Sequence, residues 1–172
     1  DNPGLLHDAT DTAMYSRILV PIDGSPTSDH ALAEAGQLAR LTGAQVRLLH
    51  IMDPVAHVSG FERPETYRQD ILPLARQNAQ ALLDKARGQL TDAGVATEAE
   101  LIESRGASVA RLVVEHASQW GASVIVLGTQ GRRGIERMLM GSDAEQIARH
   151  ASVPVLLVRR PAPPAASATP SA

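Results

Sequence analysis

The sequence predicts an α/β fold built on a parallel, doubly wound sheet, and three observations carry that prediction. Short apolar runs alternate with longer stretches of helical periodicity from Arg17 to Val158. The segments between those runs are long enough for crossover helices, which makes the strands parallel. Apolar residues make up 44% of the 172, yet only Tyr15, Phe61, Tyr67 and Trp120 are aromatic. The core must therefore be assembled from Ala, Val, Leu and Ile, which suits helices packed on a buried sheet.

The elements follow in order. Arg17–Ile22 (RILVPI) is the first strand. Asp23-Gly24 turns the chain, Ser25 is placed to cap, and Pro26 suits a first helical position. Ala31, Leu32, Ala35, Leu38, Ala39 and Thr42 recur at helical spacing until Gly43 ends the helix. Val46–Met52 is the second strand, and Pro54–Pro64 reads as a loop. Ile71, Leu74, Leu82, Leu83, Ala86 and Leu90 mark a second helix that ends at Gly94. A kink or fresh start is predicted at Pro73, because proline has no N–H for the preceding turn. Thr97–Glu103 is a third strand whose charged residues suggest a sheet edge. Val109, Leu112, Val113, His116 and Trp120 mark a third helix closed by Gly121. Val124–Leu127 is the fourth strand, Ser142–Ala151 the fourth helix and Val153–Val158 the fifth strand. Residues 1–14 read as a flexible extension and 15–160 as one domain. Residues 161–172, which hold only Pro, Ala, Ser and Thr, read as a disordered tail.

Composition excludes several functions. The net charge is −3, with fifteen arginines and one lysine, and no basic tract interleaves with aromatics. A nucleic-acid partner is not expected. The absence of cysteine removes disulfides, thiol catalysis and thiolate metal sites. The longest apolar runs, Val124–Leu127 and Val153–Val158, fall far short of the roughly 20 residues that span a bilayer, so no membrane association is expected. Asp1–Ala13 carries acidic residues and no Lys or Arg, unlike a secretory or mitochondrial signal. A cytoplasmic location is the expectation. The six histidines show no metal-ligand spacing, and no G-x-S-x-G elbow occurs.

In a doubly wound sheet, ligands bind beyond the carboxyl ends of the strands, where strand order reverses. Two strand ends stand out: Asp23-Gly24-Ser25-Pro26, and Gly128-Thr129-Gln130-Gly131-Arg132-Arg133-Gly134. The glycines of the second permit close backbone approach and N–H groups turned toward an anion. Gly141-Ser142-Asp143 then opens a helix, whose first N–H groups and partial positive charge suit phosphate. Arg132, Arg133 and Arg137 add cationic side chains. A simpler reading stands beside this one: glycine-rich turns are common without ligands, and Ser142 with Glu145 forms a capping-box pattern. Neither a Walker lysine nor a Gly-x-Gly-x-x-Gly spacing is present, which argues against a conventional ATPase and a dehydrogenase.

Gly128-x2-Gly131-x9-Gly141-Ser142 resembles the nucleotide-binding signature of the ATP-binding universal stress proteins. Arg17–Ser25 (RILVPIDGS) is similar to their first strand and turn, and Val153–Arg159 (VPVLLVR) to their last strand. The similarity runs from about Tyr15 to Arg160 in order and spacing. It implies a Rossmann-like fold, similar to the adenine nucleotide alpha hydrolases, with strand order 3-2-1-4-5. It also implies an ATP-binding, stress-response regulatory homodimer, with ADP, AMP or cyclic AMP as alternative ligands and Mg2+ accompanying ATP. By the same resemblance Pro21 and Asp23 line the site, with Asp23 on ribose or adenine. The backbones of Ile51 and Leu127 meet the base, and Gly128, Gly131, Gly141 and Ser142 hold phosphates beside Arg132 and Asp143.

Three positions depart from the common pattern of that family: Asp143 stands for a small or apolar residue, Gln130 for His and Ser123 for Asp. An inward-facing Asp143 would repel phosphate. No side chain near the loop offers an evident general base, so no catalytic residue is assigned; a slow ATPase or autophosphorylating protein, and a ligand-free interaction module, are the alternatives. The apolar Val153–Val158 would lie at a sheet edge; members of that family often dimerise by antiparallel pairing of two last strands, and a homodimer with Val155 and Leu157 near the two-fold axis is expected.

Overall fold

Five strands form one parallel sheet: β1 (Arg17–Pro21), β2 (Gln45–Met52), β3 (Thr97–Glu103), β4 (Val124–Gly128) and β5 (Val155–Val158). Their order is β3-β2-β1-β4-β5, as the resemblance implies. The computed structural model describes residues 14–54, 64–129 and 140–159. Expectations that fall on other residues, including those for Gln130, Gly131, Arg132, Arg133 and Arg137, lie outside the described residues.

Helices cover both faces. α1 (Pro26–Thr42) and α3 (Leu72–Asp92) pack Ala31, Leu32, Ala35, Leu83, Ala86 and Leu90 against Ile18, Val20, Val46 and Val126. α4 (Val109–Trp120) and α5 (Ser142–His150) pack Ala110, Val113, Ala144 and Ile147 against Leu19, Leu49 and Ile125 on the other face. β1 and β4 lie at the centre, so alternate residues of each are buried against opposite helix layers, which is why these strands read as unbroken apolar runs. Each fully buried Leu or Ile contributes about 1.5–3 kcal/mol through apolar burial. With so few aromatics, closeness rather than bulk fills the interior. A Cβ at Gly36 of α1 would stand 2.8 Å from Leu90 Cδ2 of α3.

Local chemistry sets most boundaries. Ser25 caps α1 by accepting from the Ser28 N–H, and Ser108 caps α4 by accepting from the Arg111 N–H. Gly43 and Gly121 close those helices in the left-handed conformation. The helix does not start afresh at Pro73: the backbone is helical without a break from Pro64, and the adjustment is a π-helical segment just before the proline. A short turn, α2 (Pro64–Thr66), leads into π-helix at Tyr67–Ile71, and α3 begins immediately afterward. The Leu72 N–H reaches Tyr67 C=O, one residue farther than in an α-helix, and the wider turn accommodates the proline. The fifth strand is shorter than its apolar run. It starts at Val155 because Pro154 has no N–H to give, although the Pro154 carbonyl accepts from Ile125 N–H at 3.0 Å.

The third strand is at the sheet edge, and its glutamates are engaged rather than merely solvated. Arg47 of β2 donates through Nε to Glu98 at 3.0 Å, while its guanidinium lies 4.6 Å from the Trp120 ring centroid. Arg17 reaches the Trp120 carbonyl at 2.8 Å. These contacts gather the amino-terminal ends of β1, β2 and β3 under the end of α4. Hydrogen bonding to Arg47 holds the Glu98 carboxyl below its ordinary pKa.

His116 of α4 is buried beside the same network, with Nε2 at 3.4 Å from Arg47 Nη1 and 3.6 Å from Glu100. Burial outweighs the attraction of Glu100 and lowers the imidazole pKa. Below the ordinary histidine range, about 6.5, the unfolded chain then takes up a proton that the native state refuses. Native stability should fall as the pH drops through that range to the lower folded value. Thermal unfolding between about pH 7.5 and about pH 5 should show a shallower decline in His116→Gln than in the wild type. Identical slopes would show that another group governs the acid limb.

Candidate functional site

The strand order reverses between β1 and β4, and one proline limits the pairing of those two strands. The Ile22 N–H donates to Leu49 C=O at 2.9 Å, so the polar groups of Ile22 face β2 and, by alternation, those of Pro21 face β4. Pro21 has no N–H to give. Pairing of β1 with β4 accordingly runs through Ile18↔Val124 and Leu19↔Ile125, whereas pairing with β2 continues to Pro21↔Leu49. Beyond Leu19↔Ile125 no further pair joins β1 to β4 among the described residues. Extending each register by two residues sets Leu127 level with Pro21, and Ile51 level with Asp23. Pro21, Asp23, Ile51, Leu127 and Gly128 thus lie at the carboxyl ends of three neighbouring strands, where a doubly wound sheet offers its binding crevice.

Asp23 is half-buried just past the end of β1, in a turn closed by its own side chain. Its Oδ1 accepts from the Ser25 N–H at 2.9 Å, and its own N–H donates to Ser28 Oγ at 3.3 Å. The Ser25 hydroxyl accepts from the Ser28 N–H at 3.2 Å and lies 3.2 Å from Thr27 Oγ1. Ser25, Thr27 and Ser28 are all buried. This concentration of hydroxyls locks the turn to the start of α1.

The other wall is the end of β4. Gly128 is the strand's last residue, and its lack of a side chain has a packing reason. A Cβ there would lie 2.8 Å from both the carbonyl carbon and oxygen of Thr27. Thr129 N–H donates to Val158 C=O at 2.9 Å, and Gly141 N–H donates to Thr129 C=O at 2.7 Å. Residues 129 and 141 are therefore clamped together, and the start of α5 stands directly beside the end of β4. Gly131 and Arg132 lie between the clamped residues, outside the described ones.

Two expectations are corrected at α5. Ser142 does not cap the helix: Gly141 is the N-cap residue, and it has no side chain to cap with. The capping-box pattern with Glu145 is not used, since the Glu145 carboxylate pairs with Arg149 at 2.9 Å. The clamp to Thr129 decides this, because it places Gly141 where the helix must begin. Gly141 also has φ −62, an ordinary extended value, so its glycine is not required by an unusual backbone conformation. Ser142 and Asp143 are exposed in the first turn.

Sequence reasoning missed Thr27, Ser28 and His50. Three hydroxyl residues around Pro26 were a signal for a polar turn, but not for Thr27 as the contact of Gly128. A lone histidine in the apolar run LLHIM gave no hint of its partner. His50 is buried, and its Nδ1 lies 2.7 Å from Ile22 C=O. Ser123, a departure from the family pattern, fastens β1 to β4: its Oγ donates to Arg17 C=O at 2.8 Å and accepts from the Arg17 N–H at 2.9 Å. Among the described residues no helix is long and apolar enough to cross a membrane, and no cluster of three His, Asp or Glu side chains could hold a metal ion.

The model of the universal stress protein family matches residues 14–159. A universal stress protein of Methanocaldococcus jannaschii is 32% identical over 148 residues, covering 86% of this chain and 84% of that protein. A solved structure of a universal stress protein family member from Burkholderia pseudomallei is 32% identical, with a TM-score of 0.66, and the match covers 85% of this chain and 97% of that one. The universal stress protein of Archaeoglobus fulgidus, solved in complex with dAMP, shares the fold at TM-score 0.59 and 23% identity, over 84% of this chain and 98% of that one. The order of the strands and these matches agree: the chain belongs to the universal stress protein family.

Proposed function

We propose that the chain binds an adenine nucleotide, ATP in the first instance, in the crevice between β1 and β4, and acts as a regulatory protein in the stress response. The observation that carries this reading is the placement of Pro21, Asp23, Ile51, Leu127 and Gly128 at neighbouring strand ends where the strand order reverses, with the start of α5, whose N-cap is a glycine, beside them. The dAMP complex of the Archaeoglobus fulgidus protein supports the ligand class. Asp23 accepts from the ribose or the adenine amino group, and the backbones of Ile51 and Leu127 pair with the base edge. The first N–H groups of α5 favour phosphate. The Ser142 hydroxyl, not spent on capping, donates to the same phosphate. No residue is assigned a catalytic role, and hydrolysis is at most slow; steady phosphate release above background would reverse that assignment. Mass spectrometry of ligand released from denatured, untreated protein tests the reading, and protein purified with an adenine nucleotide at near-stoichiometric occupancy is the expected result.

Two substitutions divide the site. Asp23→Ala should raise the Kd for ATP about tenfold or more, the scale of a hydrogen bond to a charged group. Asp143→Ala should lower it, because a carboxylate in the first turn of α5 opposes the incoming phosphates. Isothermal titration decides both, and unchanged affinity in the pair would mean the site has been misplaced.

The proposal includes a homodimer. Among the described residues β5 is an edge strand paired only with β4, and its Leu156 is 43% exposed. Val155 and Leu157 pack against the core on the α4 and α5 side. Antiparallel pairing of two β5 edges would satisfy both and cover Leu156. Light scattering after gel filtration should give twice the chain mass for the wild type, with Val155→Arg and Leu156→Arg shifted toward monomer. A monomeric wild type at micromolar concentration would rule the interface out.

A further inference from the structure

The peptide bond between Ile22 and Asp23 lies just past the end of β1, where the strand ladder no longer serves it. Side chains take over at both of its ends. Its carbonyl, on Ile22, accepts from His50 Nδ1 at 2.7 Å; its N–H, on Asp23, donates to Ser28 Oγ at 3.3 Å. A carbonyl can only accept, so Nδ1 of His50 carries a proton. The two side chains come from different elements, β2 and α1, and are buried to 7% and 5% exposure. Burying a hydroxyl and an imidazole is unfavourable unless each is hydrogen-bonded, and here both are committed to one peptide unit. The plane of that unit sets the direction in which Asp23 leaves the backbone. The chain of bonds then closes on the carboxylate: Ser28 N–H donates to Ser25 Oγ, and Ser25 N–H donates to Asp23 Oδ1.

We propose that His50 and Ser28 are positioning residues, which grip the Ile22–Asp23 peptide from opposite ends and so aim the Asp23 carboxylate into the crevice. The inference rests on the nucleotide reading for its functional meaning. Its structural content can be tested without any nucleotide.

Ser28→Ala removes one grip with little change of volume, and His50→Phe removes the other while keeping a ring. In nucleotide-free protein, amide hydrogen exchange followed by NMR should show the Ser25 N–H, held by Asp23 Oδ1, losing protection about tenfold in each variant. The amides of Leu19 and Val20 in β1 should stay as in the wild type. Ser28→Thr, which keeps the hydroxyl, should restore the Ser25 protection. The second arm is a double-mutant cycle on the Kd for ATP. Each variant should weaken binding severalfold in the wild-type background but by no more than about twofold in Asp23→Ala, because its effect passes through that carboxylate. Equal weakening in both backgrounds would mark a merely structural role and overturn the proposal, as would unchanged Ser25 protection in both variants. If Ser25 responds as expected while ATP fails to bind the wild type, or Asp23→Ala leaves its Kd unchanged, the nucleotide reading falls and the positioning stands.

Discussion

With ATP at about a hundredfold excess over its Kd, the native state should gain about 2.7 kcal/mol. For a domain of this size that is a rise in melting temperature of roughly 5–11 °C. The gain arises because the crevice exists only when β1, β2 and β4 are assembled: Asp23, Ile51 and Leu127 are far apart in sequence, and the unfolded chain has no site. GTP should reproduce little of the shift. Adenine presents an acceptor at N1 and a donor at N6, and guanine presents the reverse at N1 and O6. Backbone groups of Ile51 and Leu127 that pair with one edge would face like with like on the other, and buried groups left unpaired are penalised strongly. Differential scanning fluorimetry with ATP, ADP, AMP, cyclic AMP and GTP measures this directly. Equal shifts for ATP and GTP would remove the base selectivity. No shift with any adenine nucleotide would favour a ligand-free interaction module.

Gly128→Ala should damage the fold itself, before any ligand is considered. The added Cβ would stand 2.8 Å from the Thr27 carbonyl carbon and oxygen and 2.9 Å from Thr27 Cβ, closer than such atoms ever pack. Two of those three contacts are with backbone at the first turn of α1, which is held by the Ser25 cap and the Asp23 turn. Relief requires α1 to move away from β4. Overpacking of this kind is destabilising by about 1–3 kcal/mol, or a fall in melting temperature of roughly 2–12 °C. Thr27→Ala in the Gly128→Ala background should not restore stability, because the backbone contacts and the Cβ of residue 27 all remain. Chemical denaturation of nucleotide-free protein is the measurement. An unchanged midpoint would mean that Gly128 is a glycine for the ligand's sake alone, as the signature by itself suggests.

Gly128 illustrates how far a motif carries. The spacing from Gly128 to Ser142 pointed to two segments that the fold brings together, since both ends of the signature meet through the Thr129–Gly141 hydrogen bond. It could not say why each residue is what it is. At Gly128 the packing of Thr27 gives a sufficient reason, and at Gly141 the backbone conformation gives none.

What the sequence determined by itself is local. The Ser25 cap with Pro26 and the left-handed ends at Gly43 and Gly121 each depend on a few neighbouring residues whose stereochemistry allows little else. The alternation of apolar runs with helical periodicity settled the fold class for the same reason, because burial on one face or on two writes a period into the chain. Strand order was not in the periodicity; it came with the resemblance. The tertiary structure alone decided which of Gly141 and Ser142 begins α5, what Pro21 does to the pairing of β1 with β4, and which groups hold the Ile22–Asp23 peptide. It also brought Arg47 together with Glu98 and Trp120. Those outcomes depend on partners 28 residues away at His50 and Ile22, and 51 at Arg47 and Glu98. A hydrogen bond selects its partner by distance and angle in space, and a linear sequence records neither until the sheet has formed.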